Sequence, residues 1–405
     1  MPRLLHMADV HLGARHDDLG DAAAKQRERQ FAAFSRAIDA AMERRVDVVL
    51  ICGDLFDSNA QPRRSVERAA SELARLAERH IRAVLIPGTH DCYDAASIYR
   101  AFDLRAMAGL PPDSDLLTVL TPDLPSVFFP ELEMEVHGPV FPTKTAPRSP
   151  LDGLRVGQSA ASPPTAEGVV IAPPRTAAYQ VGMIHGSLRV EGKVTSDDVL
   201  FTADEIAASG LHYLALGHWH SFLQGRAGRT VWAYSGAPEP VALDQDGAGN
   251  ALLVAIEGPT AAPTVRVEPV AVGRTRFQHL DVDVSSISSQ DELCRRLRDL
   301  AHPDLVLDVR LLGVAPDDLD LDTDEVGRQV RESFFRFRLR DTSIAALPEG
   351  PLPPPDTIAG VLTRDLRTRI AAAETAGKED VAAETREALH LLRLLLDEPK
   401  RVALV

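Results

Sequence analysis

Seven side chains able to bind a metal fall in five short fragments: Asp9 and His11 in ADVH, Asp54 in CGDLFD, His90 in PGTHD, His185 in MIHG, and His218 with His220 in GHWH. Each fragment closes what reads as a buried β-strand. Two aspartates and four or five histidines form a mixed hard and borderline donor set. It suits Mn²⁺, Fe or Zn²⁺ better than Ca²⁺, which takes oxygen throughout. A shared carboxylate can hold two ions about 3.5–4 Å apart, so that one activates water while both clamp the oxygens of a phosphate ester.

The spacing carries a geometric expectation. Asp9 and His11 are two residues apart, so an extended segment would project both to one side, where they could grip one ion. The same holds for His218 and His220, with Trp219 turned away and Gly217 letting the backbone come close. Asp54 follows the apolar run Val48, Val49, Leu50, Ile51, which predicts a central strand buried on both faces. Its carboxylate is then delivered at the carboxyl edge of a sheet, where α/β folds place ligands. A single histidine or a single Gly-Asp after a strand has bland explanations in packing and turns. Five strand ends in order, all carrying the residue types a metal needs, do not.

With YSGAPE at Tyr234 to Glu239, the fragments DVH, GDLFD, GTHD, HG and GHWH resemble the calcineurin-like metallophosphoesterases. Within them the pattern is similar to the SbcD-type DNA repair nucleases that work with an SbcC-type ATPase. The resemblance covers roughly the first 240 residues in motif and the rest in layout. It implies one ion held by Asp9, His11, Asp54 and His220, and a second held by Asp54, position 89, His185 and His218. It further implies that His90 orients phosphate and protonates the leaving oxygen, with Asp91 as its supporting partner. The family motif reads GNHD, whereas this chain has Gly88, Thr89, His90, Asp91. A threonine hydroxyl is a poorer neutral ligand than an amide oxygen, so Thr89 is expected to weaken the second position.

Composition agrees with a multi-part globular protein. The chain has 405 residues, 45% hydrophobic and 25% charged, long enough for two or three domains. No apolar run reaches the ~18 residues of a membrane span, and the N-terminus reads directly into a strand, so the cytoplasm is the expected location. Cys52, Cys92 and Cys294 lie far apart without a CxxC, which supports neither a disulfide framework nor a zinc cluster. A net charge of −15 argues against a protein coated by nucleic acid. Local basic groups can still contact phosphate, and Arg63, Arg64, Arg336, Arg338 and Arg340 are the candidates. The last three alternate with Phe335, Phe337 and Leu339, the pattern of a half-buried strand with an arginine ridge outside. Aromatic content of 5% makes base stacking an unobvious mode.

The elements that must position these residues read as βαβ from the start. Strand signals cover Leu4–Ala8, Ala83–Ile86, Tyr179–Ile184, Tyr213–Leu216, Thr230–Tyr234 and Ala251–Ile256. Helical periodicity covers Ala22–Arg45, through Phe31, Phe34, Ile38 and Met42, and Arg63–His80, through Val66, Ala69, Leu73 and Leu76. Prolines between Pro139 and Pro174 predict a long loop. The resemblance implies an α/β fold, a two-sheet β-sandwich flanked by helices, spanning 1–273. A small α+β capping domain is expected at 274–345, as strand 277–284, helix 290–301, strand 305–312, helix 323–332 and strand 334–341. Pro348, Pro351, Pro353, Pro354 and Pro355 predict a stiff connector. Beyond it, within 346–405, two helices carry Ile358, Leu362, Leu366 and Ile370 on one stripe and Leu391, Leu392, Leu395 and Leu396 on the other. A pair of short helices cannot bury both stripes alone, so they dock on the body or on another protein, and the proline connector favours the partner.

The expected activity is a metal-dependent phosphodiesterase acting on DNA ends, exonuclease or endonuclease, using two divalent ions, Mn²⁺ first, and an SbcC-like coiled-coil ATPase as partner. A homodimer is left open. Two other readings stand beside it: a scaffold of the same fold weakened by Thr89, and a phosphodiesterase for small nucleotides.

Overall fold

The computed structural model describes residues 1–156, 177–192, 194–242, 245, 247–259, 262–316, 319–343 and 352–397. The loop expected between Pro139 and Pro174 falls partly outside these residues, as do Pro348 and Pro351 of the connector. The chain divides into two compact units, Met1–Thr275 and Arg276–Val405.

The first unit runs β1 (Arg3–Met7), α1 (Ala23–Glu43), β2 (Val48–Cys52), α2 (Arg63–Glu78), β3 (Arg82–Ile86), α3 (Ile98–Ala101), α4 (Leu104–Met107), β4 (Leu117–Val119), β5 (Ser126–Phe129), β6 (Met134–His137) and β7 (Tyr179–His185). It continues with β8 (Ser187–Leu188), β9 (Leu200–Phe201), α5 (Ala203–Ser209), β10 (Tyr213–Gly217), β11 (Leu223–Ala227), β12 (Thr230–Tyr234), β13 (Asn250–Glu257) and β14 (Thr264–Ala271). Twelve of these strands build two six-stranded sheets, ordered β14-β13-β1-β2-β3-β4 and β11-β12-β10-β7-β6-β5, and β8 pairs with β9 separately.

Alternation along the central strands assigns each side chain to a layer. Leu4, Val48, Leu50 and Val84 face Val181, Met183, Tyr213 and Ala215 between the sheets. Leu5, Met7, Val49, Ile51 and Leu85 face the other way, onto Phe34 and Ile38 of α1 and Leu73 and Leu76 of α2. Ile184, Leu214 and Leu216 pack outward against Ile206 of α5 and Leu211. Apolar runs without alternating polarity are what strands covered on both faces require. A polar residue interrupts the apolar run of β1: His6 is fully buried, its Nδ1 2.8 Å from the Tyr213 hydroxyl and its Nε2 3.1 Å from the Leu216 carbonyl.

The strands that sequence patterning missed are mostly edges. β4, β5, β11 and β14 end the two sheets, so each is hydrogen-bonded on one side only. β14 reads TVRVEPVA, with Pro269 inside the strand and charges outside, a sequence only an edge tolerates.

The parallel pairs β1–β2–β3 and β7–β10 set the site. Because these strands run the same way within each sheet, the loops after β1, β2 and β3 leave at one edge, and those after β7 and β10 likewise. A sandwich brings the two edges face to face.

The second unit contains β15 (Arg276–Asp283), α6 (Gln290–Arg298), β16 (His302–Leu312), α7 (Thr323–Val330), β17 (Phe334–Asp341), α8 (Ile358–Thr375) and α9 (Glu379–Asp397). The three strands are all parallel, with β16 central and the two short helices as crossovers. Leu293, Leu297, Val326 and Val330 cover Leu307, Val309 and Leu311. β17 departs from the expected alternation: Phe334 and Phe337, not Phe335 and Phe337, are the buried pair, with ring centroids 5.6 Å apart. The pairing with β16 is irregular beside it, four residues from His302 to Val306 facing two from Phe334 to Arg336. α8 and α9 pack on each other, yet Ile358 remains 89% exposed and Val361 60%.

Candidate metal centre

The residues that converge sit just past the strand ends, in turns. Asp9 (φ 56°), His11 (φ 50°), Asp54 (φ 51°) and His218 (φ 101°) all occupy the left-handed region that non-glycine residues avoid. Such conformations cost on the order of 1–3 kcal/mol each and persist where surrounding structure enforces them. Here the loops after β1 and β2 are laced together by Asp9 N–H to the Gly53 carbonyl (3.1 Å), His11 N–H to Asp54 (2.9 Å) and Leu12 N–H to Leu55 (2.9 Å). This corrects the extended-segment expectation: turn geometry, not strand alternation, brings Asp9 and His11 together. His218 and His220 likewise part company instead of gripping one point.

On one side, ligand atoms of Asp9, His11 and His220 lie within 4.8 Å of one another. The His11 and His220 Nε2 atoms are 3.2 Å apart, and His220 Nε2 is 3.8 Å from Asp9 Oδ1. On the other, His185 Nε2 lies 3.1 Å from Asp54 Oδ2. The same oxygen is 3.8 Å from His11 Nε2, so Asp54 stands between the two groups. Thr89 joins the second group, its Oγ1 3.5 Å from both Asp54 Oδ2 and His185 Nε2. The His218 ring meets the His185 ring edge-on at 5.2 Å.

Close packing is built into the backbone. A Cβ on Gly217 would sit 2.0 Å from the Cys52 carbonyl oxygen, and one on Gly88 2.2 Å from Asp54 Oδ1. Neither glycine can carry a side chain without moving the loops that hold the carboxylates.

The donor set fits divalent cations. Asp9, Asp54 and His185 are buried. Burial alone would raise Asp54, but His185 and His11 outweigh it and hold its carboxyl well below the usual carboxylate range. Burial would lower His185, yet the charges of Asp54 and Asp9 push it up to about 10. A potential negative enough to hold a proton on a buried imidazole also attracts a metal ion. The outward ring atoms of three histidines are engaged as ligand histidines require. His11 Nδ1 meets Asp57 Oδ1 at 3.2 Å, His185 Nδ1 meets the Cys52 carbonyl at 2.9 Å, and His218 Nε2 meets Asp197 Oδ2 at 3.1 Å. His220 differs: its Nδ1 faces a donor, the Gln245 side-chain nitrogen at 2.6 Å, rather than an acceptor. Asp57, Asp197 and Gln245 went unassigned in the sequence. Asp57 was visible inside GDLFD; Asp197 and Gln245 lie in polar loops without a motif.

His90 is exposed beside this cluster. Its backbone N–H donates to Asp54 Oδ1 (2.8 Å), and its Nδ1 lies 3.0 Å from the Asp57 carbonyl. That contact occupies the place expected for Asp91. Asp91 is fully buried and accepts from the Gly88, Asp54 and Phe56 N–H groups and the Tyr99 hydroxyl, the last at 2.6 Å. Its work is to tie the Asp54 loop to the Gly88 loop. Burial, with the Asp54 charge second, pushes its carboxyl above the usual range. A cleft of about 390 Å³ opens over His11, Asp57, His90 and His220, with Arg15, Asp17 and Asp18 also lining it.

Of the candidate phosphate contacts in the first unit, neither Arg63 nor Arg64 lines this cleft. Arg63 is exposed on α2 and pairs with Glu67 at 2.8 Å. Arg64 lines a groove between α1 and α2 shared with Glu28, Glu67 and Glu72. Arg336, Arg338 and Arg340 belong to β17 of the second unit, where Arg340 is held by Asp308 at 2.6 Å.

Residues 2–145 match the family of calcineurin-like phosphoesterases. The DNA double-strand break repair protein Mre11 of Aeropyrum pernix is 27% identical over 302 residues, 70% of this chain and 64% of that protein. Its namesake from Sulfolobus acidocaldarius is 39% identical over 90 residues, 22% of each chain. The uncharacterized metallophosphoesterase YhaO of Bacillus subtilis is 25% identical over 222 residues, 53% of this chain and 48% of that one. The matched segments thus span less than two thirds of these relatives. Matched family model, paired sheets and converging donors agree: the chain carries a calcineurin-like metallophosphoesterase domain and is a homologue, at moderate identity, of the Mre11 repair proteins.

Proposed function

We propose that this protein is a metal-dependent phosphodiesterase that hydrolyses DNA at or near ends. The observation that carries the reading is Asp54 Oδ2, which lies 3.1 Å from His185 and 3.8 Å from His11 and so is shared between two groups of donors. Asp9, His11, Asp54 and His220 would hold one ion, and Asp54, Thr89, His185 and His218 the other. Two divalent cations there, Mn²⁺ before Fe or Zn²⁺, would supply the Lewis acidity and activated water that phosphodiester cleavage needs.

The chain's own groups do the rest. Asp54 is fixed by the His90 N–H, and Asp91 fixes the loops that carry both. With His90 Nδ1–H held by the Asp57 carbonyl, Nε2 is the ring atom left to meet the leaving oxygen, to which the doubly protonated imidazolium would give its Nε2 proton. The substrate class rests on the relatives, two of which are named as DNA double-strand break repair proteins. Residues 274–345 would then act as a cap along the DNA path. Residues 346–405 would grip an SbcC-like coiled-coil ATPase, a role supported by the exposed Ile358, Val361, Leu395 and Leu396.

The weakened-scaffold reading keeps one observation in its favour. Thr89 Oγ1 stands 3.5 Å from its nearest neighbours in the second group. Hydrolysis of linear duplex DNA and of bis-p-nitrophenyl phosphate by the full chain in Mn²⁺ separates the readings. Activity on both supports the nuclease, activity on the small ester alone supports a small-nucleotide enzyme, and activity on neither supports the scaffold.

A further inference from the structure

His218 follows β10 in a strained turn, and nothing in the GHWH motif fixes how its ring is turned. The fold supplies that control from a separate loop. Asp197 Oδ2 lies 3.1 Å from His218 Nε2 and also accepts from the Ser187 hydroxyl at 2.5 Å. Ser187 in turn accepts from the Trp219 indole N–H at 2.8 Å, so the residue between the two motif histidines closes the circuit. The other carboxylate oxygen, Asp197 Oδ1, is bound by the Asp198 N–H at 2.7 Å. Asp198 is itself anchored, its side chain accepting from Thr145 Oγ1 at 2.8 Å and pairing with Lys144 at 3.4 Å. Trp219 is stacked on Tyr234 at 4.8 Å, and the Tyr234 hydroxyl donates to the Gly186 carbonyl. Every polar atom in the chain from Trp219 to His218 therefore has a partner, and the carboxylate has little freedom to turn.

We propose that Asp197 is a positioning residue: it holds His218 as the tautomer protonated on Nε2 and leaves Nδ1 as the ring atom turned toward the second donor group. A carboxylate accepts only from a protonated ring nitrogen, which places the proton on Nε2. Carboxylate-backed histidines bind metal more tightly because ring plane and tautomer are set in advance. The need is sharpest here, because Thr89 contributes a weak donor to the same group and orientation of the remaining ligands must compensate. The proposal deepens the two-metal reading and depends on it for the consequence, though not for the tautomer itself.

Two measurements on the full chain test it. Long-range ¹H–¹⁵N correlation of the metal-free protein, with the His218 signal identified by its loss in His218→Gln, reads the tautomer directly. Wild type should show Nε2–H, and Asp197→Ala should give a mixture of tautomers. Calorimetric Mn²⁺ titration should show the weaker ion losing about 10–100-fold in affinity in Asp197→Ala, with the tighter ion unchanged, and partial recovery in Asp197→Asn, whose amide oxygen still accepts. Thermal melting identifies a variant that has lost its fold, and Ser187→Ala, which removes the hydroxyl linking Asp197 to the Trp219 indole but keeps the carboxylate, then supplies the intermediate loss. An Nδ1–H signal in wild type, or a weaker ion indifferent to Asp197→Ala, overturns the proposal. A wild-type chain that binds one ion but shows Nε2–H on His218 refutes the two-metal reading and leaves the tautomer assignment standing.

Discussion

At the residue scale, Asp9, His11, Asp54 and His218 are held in left-handed turns just past their strands, and those turns set the donor geometry. Aspartate and histidine at five strand ends advertise a metal whatever the backbone does. The left-handed turns at Asp9, His11, Asp54 and His218 leave no trace in a sequence that lacks glycine at those positions. Asp91 illustrates the same limit: adjacency to His90 suggested a partner, whereas its carboxylate points into the fold and gathers backbone N–H groups. Substitutions at these residues should separate. Asp54→Asn should abolish both metal retention and hydrolysis, as read by elemental analysis and a phosphodiester assay; unchanged metal content would refute the shared-carboxylate role. His90→Ala should keep its metal and lose turnover by about 10²–10⁴-fold, the usual worth of general acid assistance. For Thr89→Asn, a longer amide reaching the second group should raise activity and lower the Mn²⁺ concentration giving half-maximal rate. Overlapping metal titrations for the two proteins would show that water already compensates the hydroxyl.

At the element scale, central strands and long helices were readable because each must show an uninterrupted apolar run or a stripe of period 3.6. Edge strands were not, since β14 and β11 bury little and carry charge, and their pairing is decided by a neighbour distant in sequence. His6 is a second omission: an apolar strand containing one histidine does not reveal that Tyr213 waits across the sandwich. Burial drives its pKa down to about 3, against an ordinary 6.5. The unfolded chain therefore binds a proton between these values that the folded chain refuses. The neutral imidazole's contribution to stability is fully present above pH 6.5 and is lost as pH falls toward 3, a drop on the order of a few kcal/mol if unrelieved. Urea midpoints at pH 7 and pH 5 should differ more for wild type than for His6→Gln, which has no proton to gain. Equal differences would mean that His6 titrates normally.

At the scale of the whole molecule, helical and strand periods located the elements of the second unit and the α8–α9 pair but not the all-parallel pairing of its sheet, and apolar surface on α8 and α9 stays uncovered. Ile358, Val361, Leu362, Leu395 and Leu396 stay exposed although α8 and α9 pack together. Among the described residues, no helix is long and apolar enough to cross a membrane. Deleting residues 356–405 should leave hydrolysis of a generic phosphodiester intact and remove association with an SbcC-like ATPase. Co-purification of the truncated chain with that ATPase would contradict the assignment. The most direct test of the central claim is nucleotide release from linear duplex DNA by the full chain, stripped of metal and then titrated with Mn²⁺, beside Asp54→Asn. The two-metal phosphodiesterase predicts no release from the stripped protein, release restored by Mn²⁺ in wild type, and none at any Mn²⁺ concentration in Asp54→Asn. Wild-type protein that leaves the DNA intact at saturating Mn²⁺, or Asp54→Asn that degrades it equally well, would contradict the claim.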